Sequence, residues 1–426
     1  MHLLSSRRVR AAAAGAVALV LALTGCSAEE SFSYSPPDQI DQPLSDDTAA
    51  QLQGAVENAM AKTGATGAIV GVWVPWSGTW VTGLGTQSVE DQTAVTAEMS
   101  FRAADVTRLM TCEVLYALAD EGTVELDASV PEYVSGVAHM ADITLLDLCN
   151  GTSGAGSSEG TVSSMWVNTP ERVWAPLELA SFGLGQDPVE PHTTYRDSDA
   201  GYLLLGLALE RASGLTASEL ISRYITRPLD LAGTSLPGPV AAAPGDNAMS
   251  GNRLNPVEGG YDCTAPVDTT KISSSTGFTD SGVVSTIDDL GRFVQAAARQ
   301  GLRQGDEPDQ FAAPLPTSAN APSWYQATGG AYLVGPLIGQ HGWTPGYATA
   351  AYSDPTTGFT VAVVLNNSTA GSAPAAYLAW ELAAIGSKAP AAEGQTAPEF
   401  GLPFTAEQYH EAISALAICA TPPAAE

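Results

Sequence analysis

Lysine is nearly absent from this chain, with three in 426 residues. Lysine and arginine together number 17 against 46 aspartates and glutamates, a formal net charge of −29. A field of that sign repels phosphate backbones and excludes nucleic acid as a partner. The acids are spread along the sequence rather than gathered in a tail, which fits a soluble surface in an ion-rich exterior. Cysteine is sparse, at five residues. His139, His192, His341 and His410 show no ligand spacing with one another or with cysteine, so no zinc site is expected, and no metal or cofactor is assigned from the sequence.

Long apolar runs are also missing, apart from residues 11–23. Arg7, Arg8 and Arg10 precede that run, and it is too short for a spanning helix with those flanks. Residues 1–25 therefore read as a signal peptide. Leu23-Thr24-Gly25-Cys26 resembles the bacterial lipobox. That resemblance implies cleavage before Cys26 and acylation there, which anchors the chain to the outer face of the cell membrane. Ser6-Arg7-Arg8 hints at twin-arginine export, and Arg10 breaks the pattern, so the export route stays open. Outside the cytoplasm the remaining Cys112, Cys149, Cys263 and Cys419 suggest two disulfides, with three possible connectivities.

Residues 26–46 are polar and carry Pro36, Pro37 and Pro43, as a flexible tether would. Residues 46–62 have helical periodicity, and Lys62-Thr63-Gly64 reads as the helix stop. Residues 68–74 and 79–84 read as a strand hairpin about Pro75-Trp76-Ser77-Gly78. Helical patterns follow at 106–120, 201–211, 217–226 and 287–300, with a loop-rich stretch before the last. Residues 347–352 and 359–365 read as strands, and 373–385 as a helix. Gly156-Ser157-Ser158-Glu159-Gly160 lacks the strand and helix that a nucleophile elbow needs, and reads as a flexible loop. The order predicts an α/β (α+β) fold, in which helices from both chain ends flank an antiparallel sheet. An all-helical subdomain is expected at about 105–260, within a domain of 47–388 followed by an extension of 389–426.

FRAADVTRLMTCEVLYALADEGTVELDASVPEYV (101–134) resembles the nucleophile-helix region of the serine β-lactamase-related family of class C β-lactamases, DD-carboxypeptidases and esterases. Five further blocks resemble the family in the expected order: ITLLDLCNGTSG (143–154), PHTTYRDSDAGYLLLGLALERASG (191–214), PLDLAGTSLP (228–237), SGVVSTIDDLGRF (281–293) and QHGWTPGYATAAYSDPTTGFTVAVVLNN (340–367). The resemblance implies a β-lactamase/transpeptidase-like fold. It also implies the disulfides Cys112–Cys149 and Cys263–Cys419, because the family's helix at Cys149 packs near the nucleophile helix.

The family works with a serine three residues before a lysine on one helix face, a Tyr-x-Asn segment, and a Lys-Thr-Gly or His-Thr-Gly strand edge. The resemblance puts Asp105 at the serine position and Arg108 at the lysine position, and an arginine cannot act as the base. Asp197-Ser198-Asp199 falls at Tyr-x-Asn, with Tyr195-Arg196-Asp197 as a rival register. Gln340-His341-Gly342 falls at the third motif, with neutral Gln340 where the cation or imidazole should be. Backbone N–H groups at Asp105 and Trp343 would form the oxyanion hole and line the ligand cleft. No S-x-x-K occurs anywhere in the chain. The expectation is a pseudoenzyme acting as a cell-envelope binding or regulatory lipoprotein. The alternatives are a β-lactamase, D-Ala-D-Ala carboxypeptidase or esterase using nonstandard residues, and a surface protein with a filled cleft. Asp105, Arg108, Asp197 and Asp199 are expected to converge as a salt-bridge cluster or as a site for a cation. An amine-bearing or peptidoglycan-derived molecule is the expected ligand.

Overall fold

Gly67–Val74 (β1) is apolar along almost its whole length, and seven of its eight residues are buried. A strand with two apolar faces belongs inside a sheet covered on both sides. The computed structural model, which describes residues 34–137 and 139–419, places it there. Gly78–Gly85 (β2) completes a hairpin with β1. The sheet continues with Leu315–Pro316 (β3), Tyr325–Thr328 (β4), Ala331–Val334 (β5), Leu337–Thr344 (β6), Tyr347–Ser353 (β7) and Thr360–Leu365 (β8). The order is β2-β1-β8-β7-β6-β5-β4-β3, antiparallel throughout.

The helices that position the site are Asp46–Thr63 (α1), Val106–Asp120 (α2), Glu159–Asn168 (α3), Asp199–Ser213 (α4), Phe278–Ser281 (α5), Ile287–Ala298 (α6), Ala373–Gly386 (α7) and Ala406–Ala415 (α8). Gly64 ends α1 in the left-handed conformation with its N–H on Met60, so the literal K-T-G is a helix stop. Leu52 and Val56 of α1 and Leu378, Trp380 and Leu382 of α7 pack on Val70, Val72, Tyr352 and Val363. Burying each such aliphatic side chain contributes roughly 1.5–3 kcal/mol. The chain ends thus cover one sheet face together, as expected. On the other face, α6 buries Ile287, Leu290, Phe293, Val294 and Ala297 at helical spacing.

Both expected disulfides form, with Cα separations of 5.5 Å for Cys112–Cys149 and 5.9 Å for Cys263–Cys419. Several segments differ from the sequence expectation. Residues 39–44, expected in the flexible tether, lie along the hairpin, with Leu44 N–H on Thr79 O at 3.0 Å and Thr79 N–H on Gln42 O at 2.8 Å. They cap backbone groups at the edge strand β2 that would otherwise face water. Asn252–Val257 and Gly260–Asp268 form a second hairpin within the stretch read as loop. In the extension, α8 docks on α7 through Tyr409 and Ile413. The segment read as a flexible loop is ordered: Ser158 is fully buried and α3 begins at Glu159. Asp199 holds it by accepting from both the N–H and the hydroxyl of Ser158, and Ser198 Oγ donates to Gly156 O at 2.8 Å. Cys26 and the signal segment lie outside the described residues.

Candidate functional site

The centre of the site is the start of α2. Ala104 adopts a left-handed backbone with φ of 49°, a conformation that costs an alanine about 1–2 kcal/mol. Its neighbours hold it there, with Ala103 N–H on Val283 O at 2.9 Å and Thr107 Oγ1 donating to Ala104 O at 2.8 Å. The turn delivers Asp105 to the head of the helix, directly against β6. A Cβ on Gly342 would sit 2.0 Å from Asp105 Cγ, so only glycine lets the strand approach the helix here. Asp105 is 5 % exposed and Arg108, one turn on, 2 % exposed.

Arg108 spends its whole guanidinium on carboxylates. Nε donates to Asp280 Oδ1 at 2.7 Å, Nη1 to Asp197 Oδ1 at 2.5 Å, and Nη2 lies 3.4 Å from Asp105 Oδ2. Its planar face lies over the Tyr202 ring at 5.0 Å. Asp280 reaches Arg108 because α5 is locked to its neighbours. Thr111 Oγ1 donates to Thr279 O at 2.7 Å, and Thr279 Oγ1 donates to Tyr202 O at 2.8 Å. Half-buried Glu159, at the head of α3, completes the cluster: one carboxylate oxygen each from Asp105, Glu159 and Asp280 lie within 4.8 Å of one another.

Burial holds the Asp105 carboxyl well above the ordinary aspartate range; Arg108 opposes this, while Asp280, Glu159 and Asp197 reinforce it. Glu159 is raised by burial and then by Asp280. Asp280 is raised to about 6, again by burial first, with Arg108 opposing. The guanidinium of Arg108 stays protonated, its desolvation outweighed by Asp105, Asp197 and Asp280. An arginine so placed cannot take a proton from a nucleophile. The arrangement can hold charge, bind a cation or move a proton through a carboxyl.

The other expected residues divide between the two faces of β6. Gln340 and Gly342 face α2. Gln340 Nε2 donates to Gly330 O at 2.9 Å, and its Oε1 accepts from the N–H of His341. His341 turns to the opposite face, where Nδ1 meets Tyr352 Oη at 2.6 Å and the ring stacks on Tyr332 at 4.5 Å. Burial lowers its pKa to about 4. The Trp343 indole lies on that far face as well, against the core, so its side chain does not line the site. Asp197, at the rim with a side chain 56 % exposed, reaches Arg108, whereas Tyr195 Oη bonds Tyr332 Oη at 3.0 Å. Of this segment, Asp197 rather than Tyr195 is the residue that meets Arg108. Asp199 does not join Arg108 as expected, because the backbone N–H and hydroxyl of Ser158 draw both its oxygens away.

Asp280 and Glu159 were missed from the sequence. Asp280 stands one residue before the block 281–293, an acid in a run of small and apolar residues, and that anomaly was the available signal. Glu159 sits in the segment read as loop, and nothing local marks it.

The Beta-lactamase family model matches residues 52–385. D-alanyl-D-alanine-carboxypeptidase/endopeptidase AmpH of Escherichia coli K12 is 30% identical over 205 residues, 46% of this chain and 48% of that protein. The chain therefore spans about half the length of this curated relative. A D-stereospecific amidohydrolase from Streptomyces sp. superposes with a TM-score of 0.63 at 20% identity, covering 75% of this chain and 94% of that one. The octameric penicillin-binding protein homologue from Pyrococcus abyssi gives a TM-score of 0.66 at 20% identity, covering 79% and 76%. These two share the fold. From the family match along most of its length, the chain belongs to the beta-lactamase family.

Proposed function

We propose that this chain is a non-catalytic member of its family, an exported, lipid-anchored protein that binds a ligand or regulates a process at the cell envelope. The saturation of Arg108 carries the reading. Its nitrogens meet Asp105, Asp197 and Asp280, so the position that would have to supply a base holds a permanently charged structural cation. Asp105 offers a carboxyl where a hydroxyl nucleophile would be needed. The absence of S-x-x-K from the sequence supports the same view. The AmpH relative is a D-alanyl-D-alanine carboxypeptidase and endopeptidase, which makes an amine-bearing peptidoglycan fragment the ligand class to try first. The lipobox-like segment ending at Cys26 supports anchoring.

Two measurements test these statements. Purified full chain should turn over neither a chromogenic cephalosporin nor a D-Ala-D-Ala peptide above the buffer rate; turnover abolished by Asp105→Ala would overturn the non-catalytic reading. In fractionated cells, Cys26→Ala should shift the protein from membranes to the soluble secreted fraction. A variant that stays with the membrane removes the lipid anchor from the proposal.

A further inference from the structure

We propose that Asp105, Glu159 and Asp280 form a site for a hard divalent cation, Ca²⁺ or Mg²⁺, that ties the heads of α2 and α3 to α5. This deepens the proposed binding role by naming a ligand class for the same site. Three segments distant in sequence bring one carboxylate oxygen each within 4.8 Å of the others. A calcium ion about 2.3–2.6 Å from each oxygen fits such a spacing, and magnesium, at about 2.0–2.1 Å, would need the oxygens to draw closer together.

An orphaned atom gives a second, separate reason. Asp105 Oδ1 is sealed from solvent and has no hydrogen-bond partner. Leaving a buried acceptor unmatched costs about 1–3 kcal/mol, and more when it is charged. Arg108 does not relieve it. Nη2 lies beside the other oxygen, Oδ2, while Nε and Nη1 are taken by Asp280 and Asp197. Once ionised, the four carboxyls of Asp105, Glu159, Asp197 and Asp280 stand against one guanidinium, and a divalent cation that displaces their protons removes most of that surplus. An all-oxygen donor set favours calcium or magnesium over zinc or copper. Three protein oxygens leave further coordination positions that water would fill.

The test is calorimetry and thermal unfolding of the full chain, freed of metal by a chelator, with calcium or magnesium chloride at ~1 mM, where extracellular calcium modules operate. The expected result is one-site binding of one of the two ions and a melting temperature raised by roughly 2–4 °C. Glu159→Gln should abolish both responses, and Asp280→Asn, as a second variant, should do the same. The site is overturned if neither ion binds, or if Glu159→Gln binds as wild type does, which assigns the ion to surface acids. A Glu159→Gln protein more stable than wild type, with no ion response in either, shows that protons neutralise the cluster, and also overturns it. Failure here, with cephalosporin turnover still absent, removes the cation and leaves the non-catalytic reading standing.

Discussion

At the residue scale, the helix that begins at Asp105 buries more charge than its surroundings solvate. Glu113, two turns beyond Asp105, is 2 % exposed, and neither of its carboxylate oxygens makes a hydrogen bond of good geometry, since nearby Gln310 gives its Nε2 to Gly329 O. Burial pushes its pKa from 4.5 to about 8, with Arg303 opposing. Between those values the folded chain binds more protons than the unfolded chain, so stability is full below pH 4.5 and falls as pH rises through about 8. Glu113→Gln, which keeps the shape and removes the charge, should match wild type at low pH. Above pH 8 it should be more stable, by up to about 5 kcal/mol, measured as the difference in urea midpoints. A variant less stable than wild type at both ends would mean that the carboxylate makes an essential contact. Asp105 and Arg108 were legible in the sequence because each stands at a fixed offset from Phe101-Arg102. Their partner Asp197 was legible too, through its own block, but Asp280 was not, because no offset along the chain encodes a contact between segments 172 residues apart.

At the element scale, the sequence spoke clearly where periodicity was strong. The expected ends of α1, α2 and α7 and of the β1–β2 hairpin lie within a residue of those observed. The short strands β3, β4 and β5 escaped because two to four residues carry too little alternation to register. The outer hairpin exposes residues on both faces, and α8 buries only Tyr409 and Ile413, so neither shows a clean apolar pattern. The packing of β6 on α2 gives a test at this scale. Gly342→Ala places a methyl where Asp105 Cγ already stands, at 2.0 Å, and strand or helix must give way. The expected loss is about 1–3 kcal/mol, the usual result of overpacking. In an Asp105→Gly background the same change should cost measurably less, because the clashing carboxyl and the Cβ that carries it, 2.3 Å from the added methyl, are both gone. Equal losses in both backgrounds, from denaturant midpoints, would show that the contact between strand and helix does not set the strain.

For the whole molecule, the chain ends close the sheet from one side, while the middle of the chain supplies the carboxylates that meet Arg108. The C-terminal segment joins this body twice: α8 packs on α7, and Cys419 is bonded to Cys263 in the outer hairpin. Six blocks in family order made the architecture legible, and the disulfide pairs followed from the family's packing. The site was legible only where a block passed through it, so the proposed non-catalytic reading began from Asp105, Arg108, Asp197 and Gln340, and the fold adds Asp280 and Glu159 beside them. It can be tested on the intact chain by one mass spectrum. Full-length protein incubated with a penicillin and, separately, with a fluorophosphonate should keep its unmodified mass, because Asp105 presents a carboxyl and Arg108 cannot activate a neighbour. A covalent adduct of either reagent, mapped by peptide sequencing to a residue beside the head of α2 or on β6, would contradict it.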